Sequence, residues 1–498
     1  MSSVINRRKL KALVLGPVAA AIVYLLLPDT YSDINQGQAV LTDAAKVTIA
    51  VLVWMIIWWL FEALHIAVVG FLPLLLFPLL TPSEIGTVAQ AYSSPVIFLL
   101  LGGFLIGLSI QRWGVDKRIA LLILSNIGSR PKNLILGFML LCAALSAFIS
   151  NSATAAMMLP IALTVIALLE KQNRQNGEAL QKNFCIAMML GIAYACNIGG
   201  IATIVGTPPN AFIVGFVGDM GHDISFADWS IAMLPVVLVL LPLTWLLLTY
   251  FIFPFSGRAI AGSRELLHRQ YKQLPPLQRG GKITIAVFML AVVLWISRTY
   301  IEKLSFATDS GTIQPFADLS DSSIALLAAV LLFVLPADRR QPTLDWETAR
   351  KLPWHIIFLF GGGLALAQAI KTYQVDVIIG GQLTVLAGLP IILIMFAIVA
   401  LVVLLTEVTS NTATTAALTP IVAALAVSLG IDPLTAIAAT AVSASCAFMM
   451  PIATPPNAIV FGSGYLRINN MVKAGLIINV CAMFLITLII HFWSSRIL

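Results

Sequence analysis

Apolar residues in this chain come in blocks about as long as a bilayer is thick, and polar residues are confined to the gaps between them. The blocks fall near 12–28, 43–62, 65–81, 92–111, 134–169, 184–217, 229–255, 282–300, 322–336, 354–370, 390–428, 433–463 and 470–493. Roughly 20 apolar residues cross the hydrocarbon core as a helix, because a helix pairs its own backbone groups. The pattern therefore predicts an all-α polytopic membrane protein. Four of the blocks are interrupted. Two are broken by small polar residues, Ser150-Asn151-Ser152 and Ser410-Asn411-Thr412. Two are broken by paired prolines, in Thr207-Pro208-Pro209-Asn210 and Thr454-Pro455-Pro456-Asn457. Freed backbone groups lack partners in hydrocarbon, so such breaks are tolerated where they line a cavity that something polar occupies.

The gaps sort by charge. The N-terminus (Arg7, Arg8, Lys9) is basic, and so are 112–133 (Arg112, Lys117, Arg118, Arg130, Lys132) and 170–183 (Lys171, Arg174, Lys182). Segments 256–282 (Arg258, Arg264, Arg269, Lys272, Arg279, Lys282) and 337–351 (Arg339, Arg340, Arg350, Lys351) follow suit. Lys and Arg mark cytoplasmic connections, which puts the N-terminus in the cytoplasm. Segment 301–321 is acidic and 371–389 holds a single Lys, so both belong outside. Block 134–169 then has two cytoplasmic flanks, and each half on either side of Ser150-Asn151 is about 16 residues, near or below the minimum for a crossing. A re-entrant hairpin with its tip at Ser-Asn-Ser satisfies both facts. Block 390–428 gives a second hairpin entering from outside.

The chain repeats itself. Residues 97–116 align without a gap to 357–376, with eight of twenty positions identical. At the same 260-residue offset 146–161 aligns to 406–421, and 206–211 matches 453–458 at an offset of 247. Five crossings separate the repeat starts if the first hairpin does not cross, and an odd number inverts the second copy. Inverted repeats with interrupted helices at matched positions are the architecture of secondary transporters, with the site at the repeat interface. The expected fold is an inverted-repeat transporter of about 11 transmembrane helices and two re-entrant hairpins.

A hairpin tip ends one half-helix and starts another, so carbonyls with partial negative charge sit beside N–H groups with partial positive charge. The first can hold a hard cation and the second an anion. Ser146 and Thr406 lie four residues before Ser150 and Ser410, on the same helix face. Lone hydroxyls in membrane helices commonly bond back to their own i−4 carbonyl. Recurrence beside Asn at matched positions points to ligands instead, and uncharged oxygens suit Na+. The proline pairs free the carbonyls of Gly206 and Ala453 in the same way. No Lys, Arg, Asp or Glu lies within the tips, so bound cations and helix termini must neutralise an anionic substrate. Glu407, matched by Ala147 in the first copy, is either a proton or cation site or, more in keeping with a single membrane acid, paired or facing water.

Composition narrows the reading. With 59% hydrophobic and 10% charged residues the chain is far from the soluble range of about 25% charged. The net charge of +7 comes from the connections, which sets nucleic acid aside. The five cysteines (142, 185, 196, 446, 481) stand singly in apolar blocks and read as reduced packing residues. The basic start before 12–28 lacks a small-x-small cleavage site and reads as a retained first helix. Trp54, Trp58 and Trp59 read as an interfacial belt ahead of a dimer surface. The five histidines are scattered without a catalytic partner, and Ser150 lies in no GxSxG or HExxH context, so no enzyme is expected.

The paired Ser-Asn tips, 191–211 (GIAYACNIGGIATIVGTPPNA) and 450–462 (MPIATPPNAIVFG) resemble the divalent anion/sodium symporter family, the INDY-like di- and tricarboxylate transporters. The resemblance implies a homodimer in which a mobile transport domain moves against a static scaffold as an elevator. By that likeness Ser146, Ser150, Asn151 and the Gly206 carbonyl form a first Na+ site. Thr406, Ser410, Asn411 and the Ala453 carbonyl form a second. Asn151, Ser152, Asn411 and Thr412 hold the substrate carboxylates, with Thr207, Pro208, Thr454 and Pro455 close by. Ser152 departs from the usual Thr: it keeps the hydroxyl and loses a methyl contact. The expected division is 1–91 scaffold helices, 92–228 first repeat core with hairpin 134–169 (transport domain), 229–353 linking and scaffold helices with cytoplasmic loop 256–282, 354–463 second repeat core with hairpin 390–428 (transport domain), and 464–498 last helix. The expected function is Na+-coupled symport of C4-dicarboxylates (succinate, malate, fumarate) across a bacterial inner membrane. The alternatives are a Na+-independent dicarboxylate/citrate exchanger and a transporter of sulfate on the same fold.

Overall fold

The computed structural model describes residues 7–33, 37–175, 182–255, 260, 262–308, 311–383 and 388–498. Residues 176–181 of the 170–183 connection and part of segment 256–282 (256–259 and 261) lie outside them. The chain is an all-α membrane protein. Among the described residues ten helices are long and apolar enough to cross a bilayer. Two of these, Asn151–Gln172 and Asn411–Ser428, are hairpin arms; the other eight, with Ile66–Leu80, Asp321–Val334 and the broken unit 433–461, make eleven membrane units.

The first hairpin has arms Pro131–Ser146 and Asn151–Gln175, and the second has arms Ile391–Thr406 and Asn411–Ser428. Each leading arm is 16 residues, or about 24 Å, which falls short of a hydrocarbon core of about 30 Å. Both returning arms carry a proline at the same offset, Pro160 and Pro420. Beside each hairpin runs a broken helix. The first is Lys182–Gly200 followed by Pro208–Asp219, and the second is Pro433–Ala444 followed by Pro455–Phe461. Extended backbone at Thr207 (φ −149°, ψ 143°) and Thr454 (φ −138°, ψ 150°) separates the halves, because a residue before proline is driven out of the helical region.

Lys182–Gly200 is buried on nearly every face, which its run of Gly and Ala permits. A Cβ on Gly199 would lie 2.3 Å from the Ala143 backbone, so the leading arm of the first hairpin packs backbone to backbone against it. The two repeats interlock through this helix. The Tyr194 hydroxyl donates to the Phe448 carbonyl at 2.7 Å, and Asn197 Nδ2 donates to Thr454 Oγ1 at 3.1 Å. At the end of the molecule that carries the acidic 301–321 segment, Arg298 pairs with Asp223, with Asp321 at 3.3 Å and with Glu302 at 3.5 Å.

Two features add to the expected plan and one expectation changes. Segment 256–282 contains a helix, Ser263–Lys272, that docks on the hairpin side: Leu267 is fully buried, and Gln270 Nε2 donates to Thr164 Oγ1 at 3.3 Å. Its charged face hides the single buried stripe from any reading of hydropathy. Two small β-hairpins, Thr30–Asp33 with Gly37–Val40 and Phe306–Thr308 with Gly311–Ile313, cap otherwise helical connections. Trp58 and Trp59 are buried and do not form an interfacial belt. Trp59 is fully buried, and Trp58 Nε1 donates to the Leu13 carbonyl at 3.3 Å. A Cβ on Gly16 would meet Trp58 at 2.4 Å and Trp54 at 2.8 Å, so these two indoles fill the seam between the first two helices.

Candidate functional site

Both hairpin tips are closed by the same bond. Ser146 Oγ donates to Asn151 Oδ1 at 2.5 Å, and Thr406 Oγ1 donates to Asn411 Oδ1 at 2.7 Å. The hydroxyl ends the leading arm and the amide starts the returning one, so each bond spans the tip. It also orients the amide. The Asn oxygen turns toward the hydroxyl, where a cation would take both oxygens, and the Nδ2 donors are left for an anion. Ser410 is the N-cap of the returning arm and its hydroxyl makes no capping bond. The first N–H groups of that arm therefore remain open.

The broken helices bring carbonyls to the same place. A Cβ on Gly206 would lie 2.4 Å from the Gly200 oxygen and 3.1 Å from the Ala147 oxygen. A Cβ on Gly200 would lie 2.8 Å from Asn151 Oδ1 and 3.2 Å from the Gly206 oxygen. Two glycines thus let an amide oxygen and several carbonyls crowd one spot beside Ser146. Uncharged oxygens gathered in this way suit a small hard cation. The unwound stretches are held by the last residue of each Thr-Pro-Pro-Asn. Asn210 Nδ2 donates to the carbonyls of Gly200 (2.9 Å) and Thr203 (2.8 Å), and Asn457 Nδ2 donates to those of Ala447 and Met450 (3.0 Å each). Both asparagines are fully buried. Each amide supplies donors that a broken helix no longer can.

One cavity of about 840 Å³ collects these parts. Ser150, Asn151, Ser152, Gly206, Thr207, Pro208, Ser410, Asn411, Thr412, Ala453, Thr454 and Pro455 all line it. Ser146 and Thr406 lie directly behind, fully buried and bonded to the lining asparagines. Among the described residues Glu62 and Lys351 are the only Lys, Arg, Asp or Glu on its wall, and both are exposed. His355, which also lines it, meets His65 edge-on at 5.4 Å between ring centres. Arg112 reaches Asp345 at 2.7 Å in the neighbouring 337–351 segment. Partial burial raises that carboxyl, but bonds from Thr348 and the Arg112 charge outweigh it, so Asp345 stays below the usual carboxylate range.

Glu407 is buried and paired. Its carboxylate accepts from the backbone N–H groups of Phe448 (2.6 Å), Met449 (2.8 Å) and Met450 (3.0 Å), and from Asn479 Nδ2 (2.7 Å). In the first repeat the matching tie is a Thr203 hydroxyl bonded to the Ala147 carbonyl. Sequence reasoning passed over Gly200, Asn197 and the histidine pair. It noted Asn210 and Asn457 only as flanks of the proline pairs, although their recurrence was the signal that marks them. Asn197 has no polar match in the second repeat (Ala444), so nothing in the pattern singled it out.

A family model described as the sodium:sulfate symporter transmembrane region matches residues 10–498. The chain is 37% identical over 498 residues to the sodium-dependent dicarboxylate transporter SdcS of Staphylococcus saprophyticus, covering 98% of this chain and 92% of that protein. It is 39% identical over 453 residues to SdcS of Staphylococcus aureus (strain bovine RF122), covering 89% and 85%. Among solved structures, the crystal structure of the Alcanivorax borkumensis YdaH transporter superposes with a TM-score of 0.59 at 12% identity, covering 98% of this chain and 97% of that one. That likeness is one of fold.

Proposed function

The chain belongs to the sodium:sulfate symporter transmembrane family, and from that premise we propose that it imports C4-dicarboxylates such as succinate, malate or fumarate with Na+ as the coupling ion. It is a multi-pass membrane transporter and not an enzyme. The observation that carries the reading is the single cavity where two Asn-bearing tips and two Thr-Pro breaks meet with no cationic side chain at the tips themselves. A dianion entering it finds hydroxyl, amide and helix-terminal donors, which are dipoles and not charges. Two bound cations supply the missing charge, so substrate affinity requires Na+.

On this reading Ser146, Ser150, Asn151 and the Gly206 carbonyl take one Na+. Thr406, Ser410, Asn411 and the Ala453 carbonyl take the other. Asn151, Ser152, Asn411 and Thr412 hold the carboxylates, flanked by Thr207, Pro208, Thr454 and Pro455. The repeat cores 92–228 and 354–463, with both hairpins, are the moving unit of an elevator, and the remaining helices are its scaffold in a homodimer. The protein sits in a bacterial inner membrane with its N-terminus in the cytoplasm. Lys351 and the Arg112–Asp345 pair belong to segments read as cytoplasmic, which makes this the inward-facing state.

The test is uptake of labelled succinate into proteoliposomes under an inward Na+ gradient and again with choline replacing Na+. Accumulation that vanishes in choline is the expected result. Uptake that persists in choline would mark an exchanger, and efficient competition by sulfate would mark the inorganic-anion reading that the family's description carries.

A further inference from the structure

The second half of the site carries a buried charge that the first half lacks. Glu407 directly follows Thr406 and is 4% exposed, and its two oxygens accept from three consecutive backbone N–H groups and one amide. Three successive N–H groups turned onto one carboxylate form an anion nest. That nest lies in the unwound stretch of the second broken helix, between Ala444 and Pro455, which also holds Ala453. The first repeat has no acid here. Ala147 takes the Glu407 position, and a neutral hydroxyl bond from Thr203 does the tying.

We propose that Glu407 is a positioning residue for the second Na+ half-site, an inference that rests on the symport reading above. The carboxylate fastens the tip of the second hairpin to the unwound stretch. It thereby fixes the Thr406, Ser410 and Asn411 oxygens against the Ala453 carbonyl. Its negative charge, set immediately behind uncharged ligands in a low-dielectric interior, also favours a cation in front of them. The two half-sites are therefore unequal. The second is charged, more rigid and the tighter of the two, and the first is neutral and adaptable. Asn479, on the last helix (Ile468–Phe492) and absent from the cavity wall, extends this control to an element outside the repeats.

The experiment compares wild type, Glu407→Gln, Glu407→Asp and Asn479→Leu, each purified as full-length protein. Two readouts are taken: the Na+ concentration that gives half-maximal thermal stabilisation, and the Na+ and succinate half-saturation of uptake. Glu407→Gln keeps the shape but loses the charge and turns an N–H donor toward N–H donors. It is expected to raise the Na+ midpoint about tenfold or more in both assays, with the succinate KM at saturating Na+ little changed. Glu407→Asp keeps the charge and recovers part of the shift. Asn479→Leu removes one of the four donor groups and raises the midpoint a few-fold, and it serves if the Gln variant fails to fold. A folded Glu407→Gln or Asn479→Leu protein with a wild-type Na+ midpoint overturns the proposal. So does a uniform loss of stability that leaves the Na+ midpoint unmoved, which would make Glu407 a fold residue only. A wild type that shows no Na+ response at all defeats the symport reading instead, so the two failures are told apart.

Discussion

Replacing either tip asparagine by alanine is expected to abolish Na+-driven succinate uptake while the protein remains folded. In the proposed site each Asn gives an oxygen to the cation side of its tip and an amide donor to the anion side, so one substitution would remove two interactions. Hydrogen bonds to charged groups contribute about 1.5–3 kcal/mol each, which places the loss at roughly a hundredfold or more in transport. The two variants should differ in stability. Thr406 has a second acceptor, the Ala444 carbonyl at 2.8 Å, so Asn411→Ala leaves its hydroxyl satisfied. Among the described residues Ser146 Oγ donates only to Asn151, so Asn151→Ala strands a fully buried hydroxyl and should melt lower. Initial uptake rates in proteoliposomes, alongside size-exclusion and melting profiles, check both statements. Normal transport by either variant contradicts the site.

The second large effect is expected at Gly206. A carbonyl ligand cannot be deleted by mutation, but it can be displaced. Gly206→Ala places a Cβ 2.4 Å from the Gly200 oxygen and 3.0 Å from its Cα, contacts that force the backbone to move. Overpacking of this kind costs about 1–3 kcal/mol, and here it falls on backbone that cannot swing away as a flexible side chain would. The expected outcome is loss of Na+-dependent uptake together with a lower melting midpoint. The equivalent residue of the second repeat is Ala453. If Gly206→Ala transports and melts like wild type, the crowded oxygens beside Asn151 are not a cation site.

The breaks were legible in the sequence because they repeat. Ser-Asn and Thr-Pro-Pro-Asn are costly in hydrocarbon, and their recurrence at fixed offsets marked the Ser-Asn and Thr-Pro residues that the cavity gathers, but not Phe148, Ala153, Val408, Thr409 or Ile452, which line it beside them. The blocks gave the helices for the same reason, since a bilayer leaves few alternatives. Other features were silent for physical reasons. The helix Ser263–Lys272 is polar outside one buried leucine stripe, so hydropathy reads it as a loop. Trp54 and Trp58 pack on a neighbouring helix where Gly16 lies opposite them, 42 positions before Trp58. Glu407 looked like a lone membrane acid because its partners are backbone N–H groups 41 to 43 residues away, which carry no side-chain signature. Gly200 looked like one more small residue in a helix of small residues.

The proposed transport depends on one physical point, that a dianion is held between the two tips by cations and dipoles and not by a basic side chain. Equilibrium binding of labelled succinate to the purified transporter, titrated in Na+ and then in choline at equal ionic strength, tests it most directly. Saturable binding in Na+ that disappears in choline and weakens in Asn411→Ala is the predicted result; equal affinity in both salts would contradict it.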